Sequence, residues 1–380
     1  MMPEGWQLST IEKIATVSSG GTPSRKNASY WNGNIPWVTT AEVQFKTIID
    51  TAEKITVDGL TNSSAKLFPK DTILMAMYGQ GKTRGQVAKL GIEATTNQAC
   101  AAILLKEGYD IDYYYQFLIH QYEHIREMSN SGGQENLSAG IVKSIQVPVP
   151  PIFEQKKIAQ ILCTWDKAIT TTEQLLTNIQ QQKKKLMQQL LTGKKRFPEF
   201  SGEWKEVYLG DICQPQQWVT ISSSDLVDSG YPVYGANGFI GYYSTYNHEC
   251  ETVAVTCRGS TCGEVSLIPG RSYITGNSMC LDSIDENENS YLFLYQLLKF
   301  RGFKDVISGS AQPQIVGKAI KKIKLNMPSI SEQIKIASVL SVFDQQNETL
   351  QQKLFYLKQE KKALMQQLLT GKRRVKAEAA

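Results

Sequence analysis

Residues 154–196 read EQKKIAQILCTWDKAITTTEQLLTNIQQQKKKLMQQLLTGKKR, and residues 332–374 read EQIKIASVLSVFDQQNETLQQKLFYLKQEKKALMQQLLTGKRR. The second stretch begins 178 residues after the first, and 23 of the 43 paired positions are identical without a gap. A repeat of this length decides how a chain divides, because each copy belongs to one structural unit. The 380 residues are therefore divided into two segments, each followed by one copy of the repeat.

Both copies of the repeat predict a long helix with an apolar stripe. Alternating steps of four and three residues from Ile158 and from Ile336 give ten positions in each copy, and eight of the ten are apolar. This is the heptad pattern of a coiled coil. Each stripe needs a helical partner, and the other copy supplies it. Such a helix extends for about 60 Å, the length of a spacer or an interaction platform. The predicted seam consists of Ile158, Leu162, Trp165, Ile169, Leu176, Ile179, Leu186, Leu190, Ile336, Leu340, Phe343, Leu350, Leu354, Leu357, Leu364 and Leu368.

Three polar positions of this pattern carry further expectations. Lys183 and Lys361 occupy the same seam position in the two copies, and an isolated apolar core would disfavour both charges. We expect them at the edge of the seam or in contact with a partner protein. Asn347, at the seam position equivalent to Ile169, is expected to help set the register of the coiled coil.

The remaining segments predict two related domains. Strand-like apolar runs, turn-forming loops and one helix occur in the same order in both. In the first domain, residues 18–34 predict a loop and residues 111–128 predict the helix. The spacing of Trp6, Ile11 and Ile14 recurs at Trp204, Leu209 and Ile212. The predicted class is α+β, with two mixed-sheet domains separated by two long helices in an antiparallel coiled coil, as a pseudo-twofold repeat. The boundaries are residues 1–150 for the first domain, 151–196 for the central helix, 197–330 for the second domain, 331–374 for the C-terminal helix and 375–380 for a tail.

Composition limits the class of protein. No run of 18 apolar residues and no signal-peptide pattern occurs, so we expect a cytoplasmic protein with no membrane association. Seven cysteines in a chain of this size are typical of free thiols rather than a disulfide framework. The positive charge lies on the helices: the net charge is +6 for residues 151–196 and +4 for 331–380, against −1 for 1–150 and −4 for 197–330. The basic clusters after Gly193 and Gly371 fit helix C-termini and phosphate contacts equally well.

Motifs for catalysis and metal binding are weak in this sequence. Residues 76–83, AMYGQGKT, have the spacing of a phosphate-binding loop, but such a loop needs a helix directly after it, and the next residues predict a strand. Residues 34–37, NIPW, resemble a methyltransferase signature without the Gly-rich cofactor loop that accompanies it. His120 and His124 have no convergent third ligand, and Cys257 and Cys262 lack a second pair at zinc-finger spacing. None of these motifs is complete enough to predict a catalytic, nucleotide-binding or metal site from the sequence.

Polar loops recur at equivalent places in the two domains. Residues 80–86 correspond to 258–264, and residues 131–136 correspond to 308–314. These loops are rich in Gly, Asn, Gln, Ser and Arg, and the Arg, Asn and Gln side chains can form two-point hydrogen bonds with base edges. Any one of them is explained as an ordinary turn, but their recurrence in register favours a binding role.

At this point the chain resembles the specificity subunits of type I restriction–modification systems. The resemblance covers nearly the whole chain and rests on the duplicated EQxxIAxxL segments with Trp165-Asp166 or Phe343-Asp344, and on the LMQQLLTGK ends. The openings GWQLSTI and EWKEVYL and the segments IPWVTTAEV and YPVYGANGFIGYY are also similar to target-recognition domains of that family.

The resemblance implies a DNA-binding subunit without catalytic activity that reads an asymmetric, two-part target in double-stranded DNA, with the helices fixing a separation of about one DNA turn. It implies two modification (methyltransferase) subunits as partners, which recruit restriction subunits, and it places S-adenosylmethionine, ATP and Mg²⁺ on those partners. The competing interpretation is a coiled-coil adaptor whose globular domains bind other proteins. The residues expected to contact DNA are Lys82, Arg84, Gln134 and Asn136 in the first domain and Asn237, Arg258, Ser260, Gln312 and Gln314 in the second.

Overall fold

The computed structural model describes residues 3–79, 81–128, 136–309 and 312–375. The chain forms two compact units: unit 1 is Met1–Thr172 with Lys353–Ala380, and unit 2 is Glu173–Gln352. Each unit therefore contains one globular region and parts of both long helices. Among the described residues, no helix combines the length and the apolarity that a membrane span requires.

The globular part of unit 1 is a mixed α+β structure. Its central sheet has five strands in the order β2-β9-β6-β7-β4, a smaller sheet has the order β5-β3-β8, and β1 pairs with β10. The sheets are mixed because β4 pairs with β7, and β3 with β8, in parallel. The elements are β1 (Gln7–Thr10), α1 (Ile11–Ile14), β2 (Ala15–Ser19), β3 (Trp31–Val38), β4 (Thr47–Ile48), β5 (Glu53–Ile55), α2 (Val57–Thr61), β6 (Ile73–Ala76), β7 (Val87–Leu90), β8 (Thr95–Thr96), β9 (Cys100–Leu105), α3 (Ile111–His120), α4 (Tyr122–Glu127), α5 (Ala139–Ser144) and β10 (Gln146–Val149).

The long helix α6 (Ile152–Leu190) leads into unit 2, which repeats this topology. A four-stranded sheet has the order β12-β18-β15-β16, a three-stranded sheet has the order β14-β13-β17, and β11 pairs with β19. The elements of unit 2 are β11 (Lys205–Tyr208), α7 (Leu209–Ile212), β12 (Gln214–Gln217), β13 (Tyr231–Gly235), β14 (Gly238–Tyr243), β15 (Thr252–Thr256), β16 (Val265–Ile268), β17 (Tyr273–Ile274), β18 (Ser278–Asp282), α8 (Tyr291–Arg301), α9 (Gly317–Ile320), β19 (Lys324–Met327) and the long helix α10 (Ile330–Leu368). The predicted α+β class with two related mixed-sheet domains and two long helices is confirmed.

The long helices enter the core of both units. In unit 1, Ile158 and Leu162 of α6 pack in one cluster with Met365 and Leu368 of α10 and with Tyr114 of α3. In unit 2, Leu190, Ile336 and Leu340 join the equivalent cluster around Phe293 of α8. All sixteen seam residues are buried or partly buried, whereas Leu175, Phe355 and Tyr356 on the same helices are exposed.

Ion pairs between the two helices repeat in each unit and show that the paired segments run antiparallel. In unit 1, Lys361 Nζ lies 2.6 Å from Asp166 Oδ1, and Arg374 contacts Glu154, which is 1% exposed. In unit 2, Lys183 Nζ lies 2.5 Å from Asp344 Oδ1, and Arg196 Nη2 lies 2.6 Å from Glu332, which is fully buried.

The seam lysines therefore have carboxylate partners within this chain, and their partly buried side chains, 13% and 12% exposed, fit the expected place at the edge of the seam. Lys183 and Lys361 stay in the seam because Asp344 and Asp166 neutralise their charge. Asn347 makes a polar contact between the helices, because its side-chain oxygen accepts from Gln180 Nε2 at 3.1 Å; its role in setting the register stays a prediction. Of the two basic clusters, Arg196 and Arg374 are bound in these ion pairs, and the neighbouring lysines are exposed.

Two local predictions were wrong. The apolar pattern of residues 111–128 predicts one helix, but the structure breaks it at Gln121 into α3 and α4. The polar stretch 18–34 predicts only loop, yet it contains a 3₁₀ turn, Ala28–Tyr30, and the start of β3. The pairing of Trp31 with Ile55 supplies the backbone partners that the local sequence does not reveal.

Candidate nucleic-acid interface

In each unit, a backbone hydrogen bond ties a hairpin to the segment that directly precedes a short helix. In unit 2, the β15–β16 hairpin loop lies against the segment before α9: Ile315 N donates to the Cys257 carbonyl at 3.0 Å. In unit 1, the β6–β7 loop contacts the segment before α5 through the equivalent bond from Leu137 N to the Met77 carbonyl, 2.9 Å. The two hairpins are therefore tied to equivalent points of the chain, Leu137 in unit 1 and Ile315 in unit 2; residues 131–135 of the repeated loop in unit 1 lie outside the described residues.

The hairpin loops are closed in the same way. Gly263 N donates to the Thr256 carbonyl at 2.8 Å, and Gly85 N donates to the Ala76 carbonyl at 2.9 Å. Both glycines have a left-handed backbone, with φ of 92° and 81°, a conformation that disfavours residues with a Cβ. The intervals from 76 to 85 and from 256 to 263 differ by two residues, so the loop of unit 1 is longer. The two units therefore share the backbone framework that holds the hairpin loop, but they differ in the length of that loop.

In unit 2, the candidate residues come together. Arg258 forms an antiparallel bridge with Gln314, and Gln314 exchanges two backbone hydrogen bonds of 2.9 Å with Ser308. Asn237 joins them through Thr261, whose hydroxyl donates to the Asn237 side-chain oxygen and to the Ala236 carbonyl, both at 3.1 Å. The exposed candidates of unit 2 are Asn237, Arg258, Ser260, Gln312 and Gln314.

The position of Asn237 follows from a hairpin. Residues 236 and 237 connect β13 to β14, where Gly235 pairs with Gly238, and Gly238 takes a positive φ of 88° that favours glycine directly after the turn. Phe239 and Ile240 follow it and are 51% and 46% exposed. The sequence reasoning missed these two apolar side chains, although the Asn-Gly pair between aromatic residues was a signal for an exposed hairpin tip.

In unit 1, helix α4 supports the hairpin loop. The Tyr122 hydroxyl donates to the Lys82 carbonyl at 2.5 Å, and Arg126 Nη2 donates to the Gly81 carbonyl at 2.9 Å. These bonds use the backbone of the loop, while the Lys82 side chain is exposed. Tyr122 and Arg126 were not among the sequence candidates, because the break that separates α4 from α3 was not predicted.

The structure describes two of the three remaining candidates of unit 1. Asn136 is exposed, next to the buried Leu137, and Arg84 is partly buried in the hairpin loop. Gln134 lies outside the described residues, so the structure does not place it. The residues after the loop form strand β7 rather than a helix, which agrees with the rejection of a phosphate-binding loop at 76–83.

Electrostatic contacts hold the segment that leads to the second loop of unit 2. Arg301 at the end of α8 donates to both oxygens of Asp305, at 3.0 and 2.6 Å. These hydrogen bonds, together with the positive charge, hold the pKa of Asp305 below its usual range. The carboxylate is therefore ionised at neutral pH and fixes the chain just before Ser308.

Among the described residues, the potential metal ligands that converge are His248, Cys280 and Asp282 of unit 2. The pair His120 and His124 does not gain a third ligand in the described part of the chain. Burial lowers the pKa of His120 below the ordinary value for histidine, which indicates a neutral imidazole packed on its helix.

Comparison with known proteins agrees with this architecture. The family model for the type I restriction modification DNA specificity domain matches residues 3–181 and 201–359. The EcoprrI specificity subunit of Escherichia coli is 26% identical over 351 residues, covering 88% of this chain and 86% of that protein. The MjaIX specificity subunit of Methanocaldococcus jannaschii is 24% identical, covering 98% and 95%.

A solved structure shares the fold. The S subunit of a type I restriction–modification system from M. genitalium superimposes with a TM-score of 0.73 over 97% of this chain and 99% of that one, at 18% identity. The family model matches both halves of the chain, and these two relatives match most of its length. The chain therefore belongs to the family of type I restriction–modification specificity subunits.

Proposed function

We propose that this chain binds double-stranded DNA and reads an asymmetric target in two parts, one with each unit. The single observation that carries the proposal is the shared scaffold: equivalent backbone hydrogen bonds tie a hairpin to Leu137 in unit 1 and to Ile315 in unit 2, while the exposed side chains differ. A common frame with different contact residues is what two related modules need to read two different sequences.

The exposed side chains have the chemistry for base recognition. Arg258 can donate two parallel hydrogen bonds to guanine, and Asn237, Gln312 and Gln314 can each pair with adenine. In unit 1, Lys82 and Arg84 supply cations and Asn136 an amide, so its preferred bases differ. Phosphate contacts by lysines on the same face add affinity that depends on salt and carries no sequence information.

Partner proteins supply the chemistry in this proposal. The chain acts as a non-catalytic subunit that docks two modification subunits, and through them restriction subunits. S-adenosylmethionine, ATP and Mg²⁺ bind those partners. The exposed apolar side chains on the long helices, Phe355 and Tyr356 in unit 1 and Val342 in unit 2, support docking there, because a soluble helix rarely exposes such groups without a partner.

A single substitution tests the reading role of unit 2. With Arg258→Ala, methylation mapping in cells that carry the modification partners is expected to show adenine methylation at a relaxed second half of the motif and an unchanged first half. The loss of discrimination is about 1–3 kcal/mol if the guanidinium contacts a base in bidentate fashion. The wild-type chain is expected to direct methylation to one interrupted motif.

The matched control is Arg271→Ala. Arg271 is an exposed arginine of the same unit, and its guanidinium is paired with Glu249 at 3.1 Å. It should leave the motif unchanged. A uniform, salt-sensitive loss of binding by Arg258→Ala would instead identify a phosphate contact. A continuous motif, or the absence of DNA binding by the complex, would contradict the proposal and favour a protein adaptor.

Docking of a modification subunit is tested on helix α10. Phe355 and Tyr356 are 59% and 62% exposed, and their rings contact each other edge to face at 5.6 Å between centroids. Changing both to serine is expected to weaken binding of a modification subunit about tenfold or more, since exposed aromatic pairs are frequent interface hot spots.

Binding of the modification subunit is measured by titration in solution, with fold checked by circular dichroism. Val57→Ser is the control, because Val57 in the same unit is 66% exposed but lies on the short helix α2. Equal partner affinity for the double variant and the wild-type chain would exclude this surface as a docking site.

A further inference from the structure

A buried polar cluster in unit 2 has no part in the proposed reading of DNA. His248 lies between β14 and β15, and Cys280 and Asp282 lie two residues apart on β18, so both of these strand side chains point to one face of the sheet. Their ligand atoms all lie within 4.8 Å of one another. The side chains of His248 and Asp282 are 9% and 17% exposed, and Cys280 is fully buried.

The hydrogen bonds around His248 fix which ring nitrogen carries a proton. The Asn247 amide is oriented by one backbone unit: its nitrogen donates to the Ile274 carbonyl at 3.0 Å, and its oxygen accepts from Ile274 N at 2.8 Å. The same oxygen lies 2.7 Å from His248 Nδ1, so Nδ1 must be the donor. In a neutral ring, Nε2 then has a free lone pair.

That lone pair faces a second acceptor. His248 Nε2 lies 3.1 Å from Asp282 Oδ1, and the other oxygen of Asp282 accepts from Trp218 Nε1 at 3.0 Å. Two acceptors at this distance repel each other unless a proton or a cation lies between them. Cys280 adds a sulfur that forms no hydrogen bond in the described part of the chain.

Unit 1 shows that the fold does not require this cluster. The bridge between His248 and Ser272 corresponds to the bridge between Phe68 and Ala94. Cys280 pairs with Ala254 on β15, as Ala102 pairs with Leu74 on β6, and Leu104 takes the place of Asp282. Phe68, Ala102 and Leu104 share one apolar cluster in unit 1. Exchanging such a cluster for three polar side chains costs stability unless they are paired or bind a ligand.

We infer that His248, Cys280 and Asp282 form a binding site for a divalent metal ion, with zinc as the preferred ion. Imidazole nitrogen, thiolate sulfur and carboxylate oxygen are the ligands that zinc takes in proteins, and three of them leave one tetrahedral position for water. Tetrahedral zinc needs about 3.3–3.6 Å between ligand atoms. The nitrogen and the oxygen are already close to this spacing.

The surrounding residues have the arrangement expected of a second coordination shell. A metal-bound histidine usually donates its other N–H to an oxygen, and a ligating carboxylate is itself hydrogen-bonded; Asn247 and Trp218 meet these two conditions. Asn247 is bonded to β17 of the three-stranded sheet, and Asp282 ends β18 of the four-stranded sheet. The ion would therefore join the two sheets and hold the hairpin that carries Asn237.

The test is the metal content of the full chain. The protein is purified without chelators, incubated with zinc and then desalted. We expect it to retain about one zinc ion per chain, measured by inductively coupled plasma mass spectrometry. With Co²⁺ instead, a thiolate-to-metal absorption band should appear, and Cys280→Ala should abolish it. Cys100→Ala is the control, because Cys100 is also fully buried on the equivalent strand of unit 1, and it should bind metal as the wild type does.

A second variant guards against misfolding. The triple substitution His248→Phe, Cys280→Ala and Asp282→Leu installs the apolar cluster of unit 1, so it is expected to fold, to bind no zinc and to show no change of Tm on addition of a chelator. Wild-type protein that retains no zinc and gives no cobalt band would overturn the inference and leave an imidazolium–carboxylate pair. Equal zinc in the triple variant would also overturn it.

Discussion

Asp344→Ala is expected to lower the free energy of unfolding of unit 2 by about 2–4 kcal/mol. The Asp344 carboxylate accepts from two side chains at once: Lys183 Nζ at 2.5 Å and Gln296 Nε2 at 2.7 Å. Lys183 is 13% exposed and Gln296 is 1% exposed. Removing the carboxylate leaves a partly buried ammonium group and a buried amide without their acceptor, which costs more than the lost contacts alone.

The free energy of local unfolding is measured by native-state amide hydrogen exchange at increasing denaturant concentration, because a chain with two units need not unfold in one step. Exchange should accelerate in α8 and in the unit 2 parts of the long helices. Adding Lys183→Met to Asp344→Ala is expected to recover part of the loss, since the uncompensated charge is then absent. If the double variant is less stable than the single one, the cost does not come from the unpaired lysine.

The internal repeat provides a comparison within the same molecule. Asp166 accepts from Lys361 and from Gln116 in unit 1, at 2.6 and 2.5 Å. Its side chain is 42% exposed, against 31% for Asp344. Water screens the more exposed group better, so Asp166→Ala should have the smaller effect, and that effect should appear in unit 1.

Periodicity and repetition in the sequence predicted the helices and the relation between the domains. The heptad stripe places Leu162 and Leu340 in the cores because an apolar side chain at every third or fourth position must lie on one face of a helix. Pairing of charges across the seam was not predictable in the same way. Lys183 and Asp344 are 161 positions apart, and only the antiparallel register of the helices brings them together.

The candidate nucleic-acid interface was also only partly predictable from the sequence. Repetition of the polar loops singled out Arg258 and Gln314 as candidates, and the structure joins their backbones in an antiparallel bridge. The support of the Lys82 loop by Tyr122 was missed, since it depends on the break between α3 and α4, where tertiary packing overrides an apolar pattern. The His248 cluster was missed because His248 lies 34 positions before Asp282 and outside the strand that carries Cys280 and Asp282.

Gly20→Ala is expected to destabilise unit 1 by about 3 kcal/mol. A Cβ at Gly20 would lie 2.0 Å from the Thr96 carbonyl oxygen and 2.5 Å from its carbon. Thr96 cannot withdraw, because it is fully buried, pairs with Val38 in β3, and donates its hydroxyl to the Val38 carbonyl at 3.0 Å. The clash must therefore displace backbone.

Gly140→Ala is the matched control. Gly140 is an exposed residue of α5, and the nearest atom to its Cβ would be the Ser138 hydroxyl at 3.6 Å. Alanine there should stabilise the chain by about 0.5–1 kcal/mol through its higher helix propensity. Both variants are compared by urea unfolding, with hydrogen exchange at β3 and β8 to locate the effect. Equal stability of the two variants would show that the turn after β2 tolerates a side chain.

If each unit reads its own half of the DNA target, as proposed above, Gly20→Ala should also change DNA recognition. The sheet β5-β3-β8 of unit 1, which Gly20 contacts through Thr96, corresponds to the sheet β14-β13-β17 that carries Asn237 in unit 2. Displacement of β8 should therefore disturb recognition by unit 1 and leave unit 2 intact. In methylation mapping, Gly20→Ala is expected to weaken only the half of the motif that Arg258→Ala leaves unchanged. Loss of the same half in both variants would show that the two units do not read separate parts of the target.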